Sequence, residues 1–181
     1  MIVGALRRPE IPAGTITPPH PVTVGDSLVG PAEVTLDATA PERWTFFAFS
    51  RNSAVEQPGP LGWDLAVRRF YVIANGGPGF AGHGGIRDLG RVPFDSVASV
   101  PDGGYTMNER DSSNAAIHHW YDYSWTSHLL TNGGHSYAVR TADGKYAKIA
   151  VTSYYCGEAR PGCLTLRYAY QGDGSRTVRR P

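Results

Sequence analysis

Leu164, Leu166, Tyr168 and Tyr170 alternate with Thr165, Arg167, Ala169 and Gln171, and no stretch of the chain offers a competing helical period. A side-chain period of two belongs to a strand with one face on a core and the other in water, so this segment predicts a half-buried final strand. Upstream, His135 to Arg140 and Lys145 to Tyr155 flank Asp143-Gly144. An Asp-Gly pair accepts the positive φ of a primed turn, and these two runs predict a hairpin. Twenty-two glycines and fourteen prolines in 181 residues cut the remainder into short pieces. The fold class that follows is all-β: a single, mostly antiparallel domain with short strands, long glycine- and proline-rich loops and little helix.

Read in order, residues 1–32 predict an extended arm, because Pro18-Pro19-His20-Pro21 favours a polyproline-like path. Residues 33–175 predict the β domain, and residues 176–181 a basic, polar tail. Within the domain, Val34 and Leu36 are expected to pair with Trp44 to Phe49 across a Pro41-Glu42 turn. Trp63 to Ala74 reads as one strand rich in branched and aromatic residues. Asn75 to Gly90 is glycine-rich, and Gly77, Gly79 and Gly82 match a dinucleotide fingerprint by letter. No amphipathic helix follows them, so a tight loop between sheet edges is the expectation. Val92 to Val100 predicts a short strand or a single helical turn, and residues 105–116 a polar loop. From Ile117 the alternation places Ile117, His119, Tyr121, Tyr123 and Trp125 on one strand face, with His118, Trp120, Asp122 and Ser124 on the other.

Charge excludes one class of partner. Seventeen basic against sixteen acidic side chains leave a net charge of +1, which is not the field of a dedicated nucleic-acid binder. No apolar run is long enough to cross a membrane as a helix. Met1 to Leu6 is too short for a signal-peptide core, and Arg7-Arg8 follow it rather than precede it, so no leader is expected within this chain. Cys156 and Cys163 stand at the facing ends of two strand patterns with Pro161-Gly162 between them. A disulfide there is expected, and with it an oxidising compartment, periplasmic or at the cell surface.

Six segments carry a family resemblance. Trp44-Thr-Phe-Phe-Ala-Phe-Ser50, Trp63-Asp-Leu-Ala followed by Arg69-Phe-Tyr, and Asn75 with its glycine loop come first. Pro101-Asp-Gly-Gly-Tyr105, Val139-Arg-Thr-Ala-Asp-Gly-Lys-Tyr-Ala-Lys148 and Tyr168-Ala-Tyr-Gln171 follow in that order. Over residues 34–175 the chain resembles the HmuY family of bacterial haem-binding β proteins. The resemblance implies a secreted or lipid-anchored protein that captures haem between two axial histidines or methionines, and it implies no enzyme. The first ligand would fall between the Asp-Gly-Gly-Tyr turn and the aromatic strand, where no histidine precedes His118. The second would follow Trp120-Tyr-Asp-Tyr-Ser124, where this chain has Trp125, whose indole cannot ligate iron. Met107 is the one methionine beyond the initiator, so a two-methionine clamp would have to recruit Met1.

These departures shape the functional expectation. No nucleophile elbow occurs, and Asp64 and Asp122 read as solvated or hydrogen-bonded structural carboxylates, so catalysis is not expected. A zinc site from His119, His128 and His135 lacks the tight spacing and thiolates of a strong zinc motif. The leading expectation is a protein-docking subunit, without a cofactor, on the periplasmic face of a respiratory or photosynthetic membrane complex. Trp120, Tyr121, Tyr123 and Trp125 would present its interface. The alternative is a haem carrier with relocated ligands, His119 paired with His128 or His135.

Overall fold

The computed structural model describes residues 11–20, 25 and 27–180. Expectations for the first ten residues, for 21–24 and 26 in the arm, and for the last tail residue lie outside the described residues. The strands are Leu28–Asp37 (β1), Thr45–Ala48 (β2), Ser53–Val55 (β3), Leu65–Arg68 (β4), Tyr71–Ala74 (β5) and Gly85–Asp88 (β6). They continue with Tyr121–Tyr123 (β7), Leu130–Asn132 (β8), Tyr137–Arg140 (β9), Tyr146–Tyr155 (β10) and Pro161–Gln171 (β11). Helix among the described residues is confined to short 3₁₀ turns. Strand pairing is antiparallel throughout: one sheet has the order β1-β11-β10-β9-β6, a second β3-β2-β4-β5, and β7-β8 stand apart as a hairpin. The all-β expectation holds.

Alternation explains the layering. Phe47, Leu65, Val67, Val72 and Ala74 point from the four-stranded sheet into a core shared with Leu36, Val139, Ile149, Leu166 and Tyr168 of the five-stranded one. Their neighbours in sequence point the other way: Phe46, Ala66 and Ile73 join Trp63 in a cluster on the outer face. The outer face of the larger sheet is covered in turn, with Ala138 packed on Val97, Val100 and Val178. Tyr168 meets Phe47 and Phe49 edge-on with ring centroids 5.5 Å apart, and each such pair adds about 0.5–1.5 kcal/mol beyond the area it buries. Burial also drives the Tyr168 phenol well above its usual pKa.

Several local expectations need correction. Trp63 to Ala74 is not one strand but the β4–β5 hairpin, because Arg69 takes a left-handed φ of 53° and reverses the chain. Strands β1 and β2 do not pair with each other; they belong to different sheets. Strand β11 is not half-buried. It lies between β1 and β10 with both faces covered, and only Pro161 at its start is exposed. The glycine-rich segment holds β6 as well as a tight loop, with Gly76 bridged to His83 and Gly84 N–H donating to Asn75 O at 2.8 Å. Residues 105–116 are polar but not idle: Asn108 and Asn114 are buried, and the Asn108 amide satisfies both backbone groups of Ala74.

The ends of the described chain are woven into the sheets. Strand β1 starts at Leu28, so it runs across the boundary expected between arm and domain. Residues 11–20 follow sheet edges as a strap. Gly14 N–H donates to Tyr155 O at 2.7 Å, Thr17 N–H to Thr35 O at 2.9 Å, and His20 N–H to Ser53 Oγ at 2.7 Å. At the other end Val178 is buried, and Val100 N–H donates to Arg176 O at 3.0 Å.

Candidate functional site

The β7–β8 hairpin is tied to the body at its root and exposed at its tip. Trp120, just before β7, is buried, and its indole N–H donates to Phe70 O at 2.8 Å. Gly133 N–H donates to Trp120 O at 2.8 Å, and Leu130 N–H donates to the Tyr155 hydroxyl at 2.7 Å. Leu129 and Leu130 pack on the main core. Trp120 is therefore a core residue. The expected face from Ile117 to Trp125 does not form: residues 115–119 make a turn, Ile117 is buried, and β7 begins only at Tyr121.

The tip gathers three of the singled-out side chains. Ser124 N–H donates to Leu129 O at 2.9 Å and His128 N–H to Ser124 O at 2.8 Å, closing a compact loop. His128 sits in this loop with a left-handed φ of 55°, a conformation that costs a side-chain-bearing residue energy and persists only where surrounding contacts enforce it. Its imidazole Nδ1 lies 2.6 Å from the Tyr123 hydroxyl. Trp125 packs edge-on against Tyr123, centroids 5.0 Å apart, and remains 82% exposed. Tyr121 packs instead on Phe70 and Trp120.

The other histidines are engaged elsewhere. His119 is exposed and contacts His118. His135 Nδ1 is 2.9 Å from both carboxylate oxygens of Asp88, and its ring stacks on Tyr137. Among the described residues no group of three or more histidines, cysteines or carboxylates forms a metal site, so the zinc trio is not assembled. Met107 is exposed, and Met1 lies outside the described residues. Asp64 is buried and accepts the backbone N–H groups of Phe49 and Ala142, whereas Asp122 is exposed beside Arg91 at 3.6 Å.

Behind the hairpin lies a cleft of about 300 Å³, walled by Ile11 and Pro12 of the strap, Trp120, Leu129, Tyr154 and Tyr155. No histidine among the described residues lines it. The expected disulfide is present, joining Cys156 to Cys163 where β10 turns into β11. No helix of the described residues is long and apolar enough to cross a membrane.

Sequence reasoning singled out His128, Tyr123 and Trp125 but placed Tyr123 and Trp125 on one long strand, whereas the strand ends at Tyr123. It missed the buried asparagines Asn108 and Asn114, which fix the loop leading to His118. Asn114 donates to Thr106 O at 2.9 Å and to Asn108 Oδ1 at 3.1 Å. Their one sequence signal was an amide inside a polar stretch, which is also the signature of a solvated loop.

Comparisons with known proteins agree on the architecture. The model of a family described as HmuY protein matches residues 40–168. The apo HmuY analog of Tannerella forsythia superposes with a TM-score of 0.61 at 17% identity, covering 82% of this chain and 98% of that one. A candidate HmuY-like heme-binding protein of Bacteroides vulgatus gives 0.55 at 22%, covering 77% and 90%. A candidate lipoprotein of Bacteroides fragilis gives 0.60 at 17%, covering 83% and 92%. At these identities the likeness is one of fold. The comparison with curated proteins gave no match.

Proposed function

The chain belongs to the HmuY family, and from that premise we propose that it is a non-catalytic, extracytoplasmic binding protein that captures haem on the outer side of the β7–β8 hairpin. His128 carries the reading. It is held in a left-handed conformation at an exposed tip, its Nδ1 engaged by Tyr123 and an exposed indole beside that tyrosine. When Nδ1–H donates to the Tyr123 oxygen, the lone pair of Nε2 is left for a metal. Histidines that ligate metals characteristically donate their second ring nitrogen in this way. Trp125 and Tyr123 supply apolar surface for the face of a macrocycle.

The residues fit haem as cargo with one protein nitrogen rather than two. His119 faces His118 and His135 is engaged by Asp88, so neither is built in as the partner of His128. The extracytoplasmic setting is supported by the Cys156–Cys163 disulfide, which persists in oxidising compartments.

The docking reading draws on the same exposed tip, since Tyr123 and Trp125 could equally meet a protein. It loses Trp120 to the core, and the strap of residues 11–20 is occupied with the chain's own sheets. Titrating the purified protein with hemin decides between them. The expected result is a saturable one-to-one Soret shift that is lost in His128→Ala. A protein that gives no saturable shift, and instead co-purifies with a membrane complex, would overturn haem capture in favour of docking.

A further inference from the structure

Among the described residues, two histidines outside the proposed haem-capture site converge without forming part of any larger cluster. We propose that His118 and His119 make a bidentate site for a tetrahedral divalent transition ion of the zinc class. His118 Nδ1 and His119 Nε2 are 3.4 Å apart. That is long for a hydrogen bond from a ring N–H, which ordinarily closes to about 2.7–3.2 Å. It is the separation of two nitrogens bound to one ion. Two bonds of about 2.0–2.1 Å meeting at the tetrahedral angle place their nitrogens about 3.4 Å apart.

The backbone holds the pair in place. Ile117 before it and Trp120 after it are buried, while His118 and His119 are exposed between them. Ile117 N–H donates to Asn114 O at 3.2 Å, and the Asn114 amide is itself fixed by Asn108 and Thr106. The turn is thus pinned on both sides by groups that do not move with the imidazoles. The ring of Tyr71 borders His118, centroids 6.2 Å apart. Solvent exposure leaves the remaining coordination positions open to water or to a ligand brought by another molecule, which is the arrangement of an open rather than a structural zinc site.

The site uses none of His128, Tyr123 or Trp125, so it stands or falls apart from haem capture. The test is a titration with Co²⁺, whose visible absorption reports tetrahedral coordination, followed by displacement with Zn²⁺. One tetrahedral Co²⁺ per chain is expected, displaced by Zn²⁺. Affinity should fall at least tenfold in both His118→Ala and His119→Ala and stay unchanged in His128→Ala and His135→Ala. A spectrum that remains that of the hydrated ion overturns the proposal, as does tetrahedral binding that survives either His118→Ala or His119→Ala.

Discussion

Asp64 and Ala142 are 78 positions apart, and the Asp64 carboxylate accepts the Ala142 backbone N–H at 3.0 Å. Its other oxygen accepts the Phe49 N–H at 2.8 Å. One buried side chain thus clips the start of β4 to the β9–β10 turn, joining the two sheets. Burial outweighs these two donors and raises the carboxyl to about 6 from its usual 3.8. Between those values the folded chain keeps a proton that the unfolded chain has released. Stability from this group is therefore full below the lower value and is lost as pH rises to the upper one. At about 1.4 kcal/mol per pKa unit the loss is roughly 3 kcal/mol. Urea unfolding of wild type and Asp64→Asn across this pH range checks it. The wild type should lose stability relative to the variant as pH rises, and parallel curves would show that Asp64 does not titrate there.

The glycine loop separates two kinds of requirement. A Cβ on Gly76 would run into the backbone carbonyl of Gly84, which cannot swing aside. Gly76→Ala should cost about 3 kcal/mol or more, as overpacking against backbone does. Gly79 has a φ of 86° but open space around the same position, so Gly79→Ala should cost only the left-handed penalty of about 1–2 kcal/mol. Chemical unfolding of the two variants gives the ratio directly.

Lys148 is buried on the outer face of the larger sheet, the face away from the main core. Its ammonium donates to Phe94 O at 2.9 Å and Val97 O at 2.7 Å and lies over the Phe94 ring. Desolvation lowers its pKa. Lys148→Met keeps the stem but leaves both carbonyls without their donor, so a loss of about 1–3 kcal/mol is expected in thermal or urea unfolding. An unchanged midpoint would show that water replaces the ammonium at no cost.

The disulfide closes a short loop, with Cys156 N–H donating to Arg160 O at 2.7 Å inside it. By chain entropy such a loop contributes about 2.5 kcal/mol. The double variant Cys156→Ser, Cys163→Ser should lose that amount under oxidising conditions and match the reduced wild type. A variant as stable as the oxidised wild type would assign the bridge no part in folding.

How much of this was legible depended on the range of the interaction. The β9–β10 hairpin follows from Asp143-Gly144 and the alternation beside it, because turn chemistry and side-chain period are both local. The β4–β5 hairpin does not, since its reversal uses Arg69 at positive φ, a choice no propensity favours. Sheet membership of β1, and the inner-face cover of β11, depend on partners more than a hundred residues away. At the site, alternation predicted one face from Ile117 to Trp125, but Ile117 and Trp120 are both pulled into the core and interrupt the strand. The side chains that could do chemistry were therefore recognised by type, and their grouping was not.

The hairpin tip offers the sharpest functional contrast, because it can be altered without touching the core. Trp125 is 82% exposed, and Tyr123 is partly exposed with its hydroxyl on His128, so changes at either should move stability by no more than about 0.5 kcal/mol. Tyr123→Phe removes the group that positions the imidazole and keeps the ring. Loss of such an outer partner ordinarily weakens metal binding by about 10–100-fold, and hemin affinity should fall within that range. Trp125→Ala removes stacking surface and leaves His128 in place, so affinity should fall while the Soret position of the bound form is retained. Hemin titrations of the two variants separate orientation from contact. If Tyr123→Phe binds hemin as tightly as wild type, the tyrosine–histidine pair at the tip is not the iron-binding device.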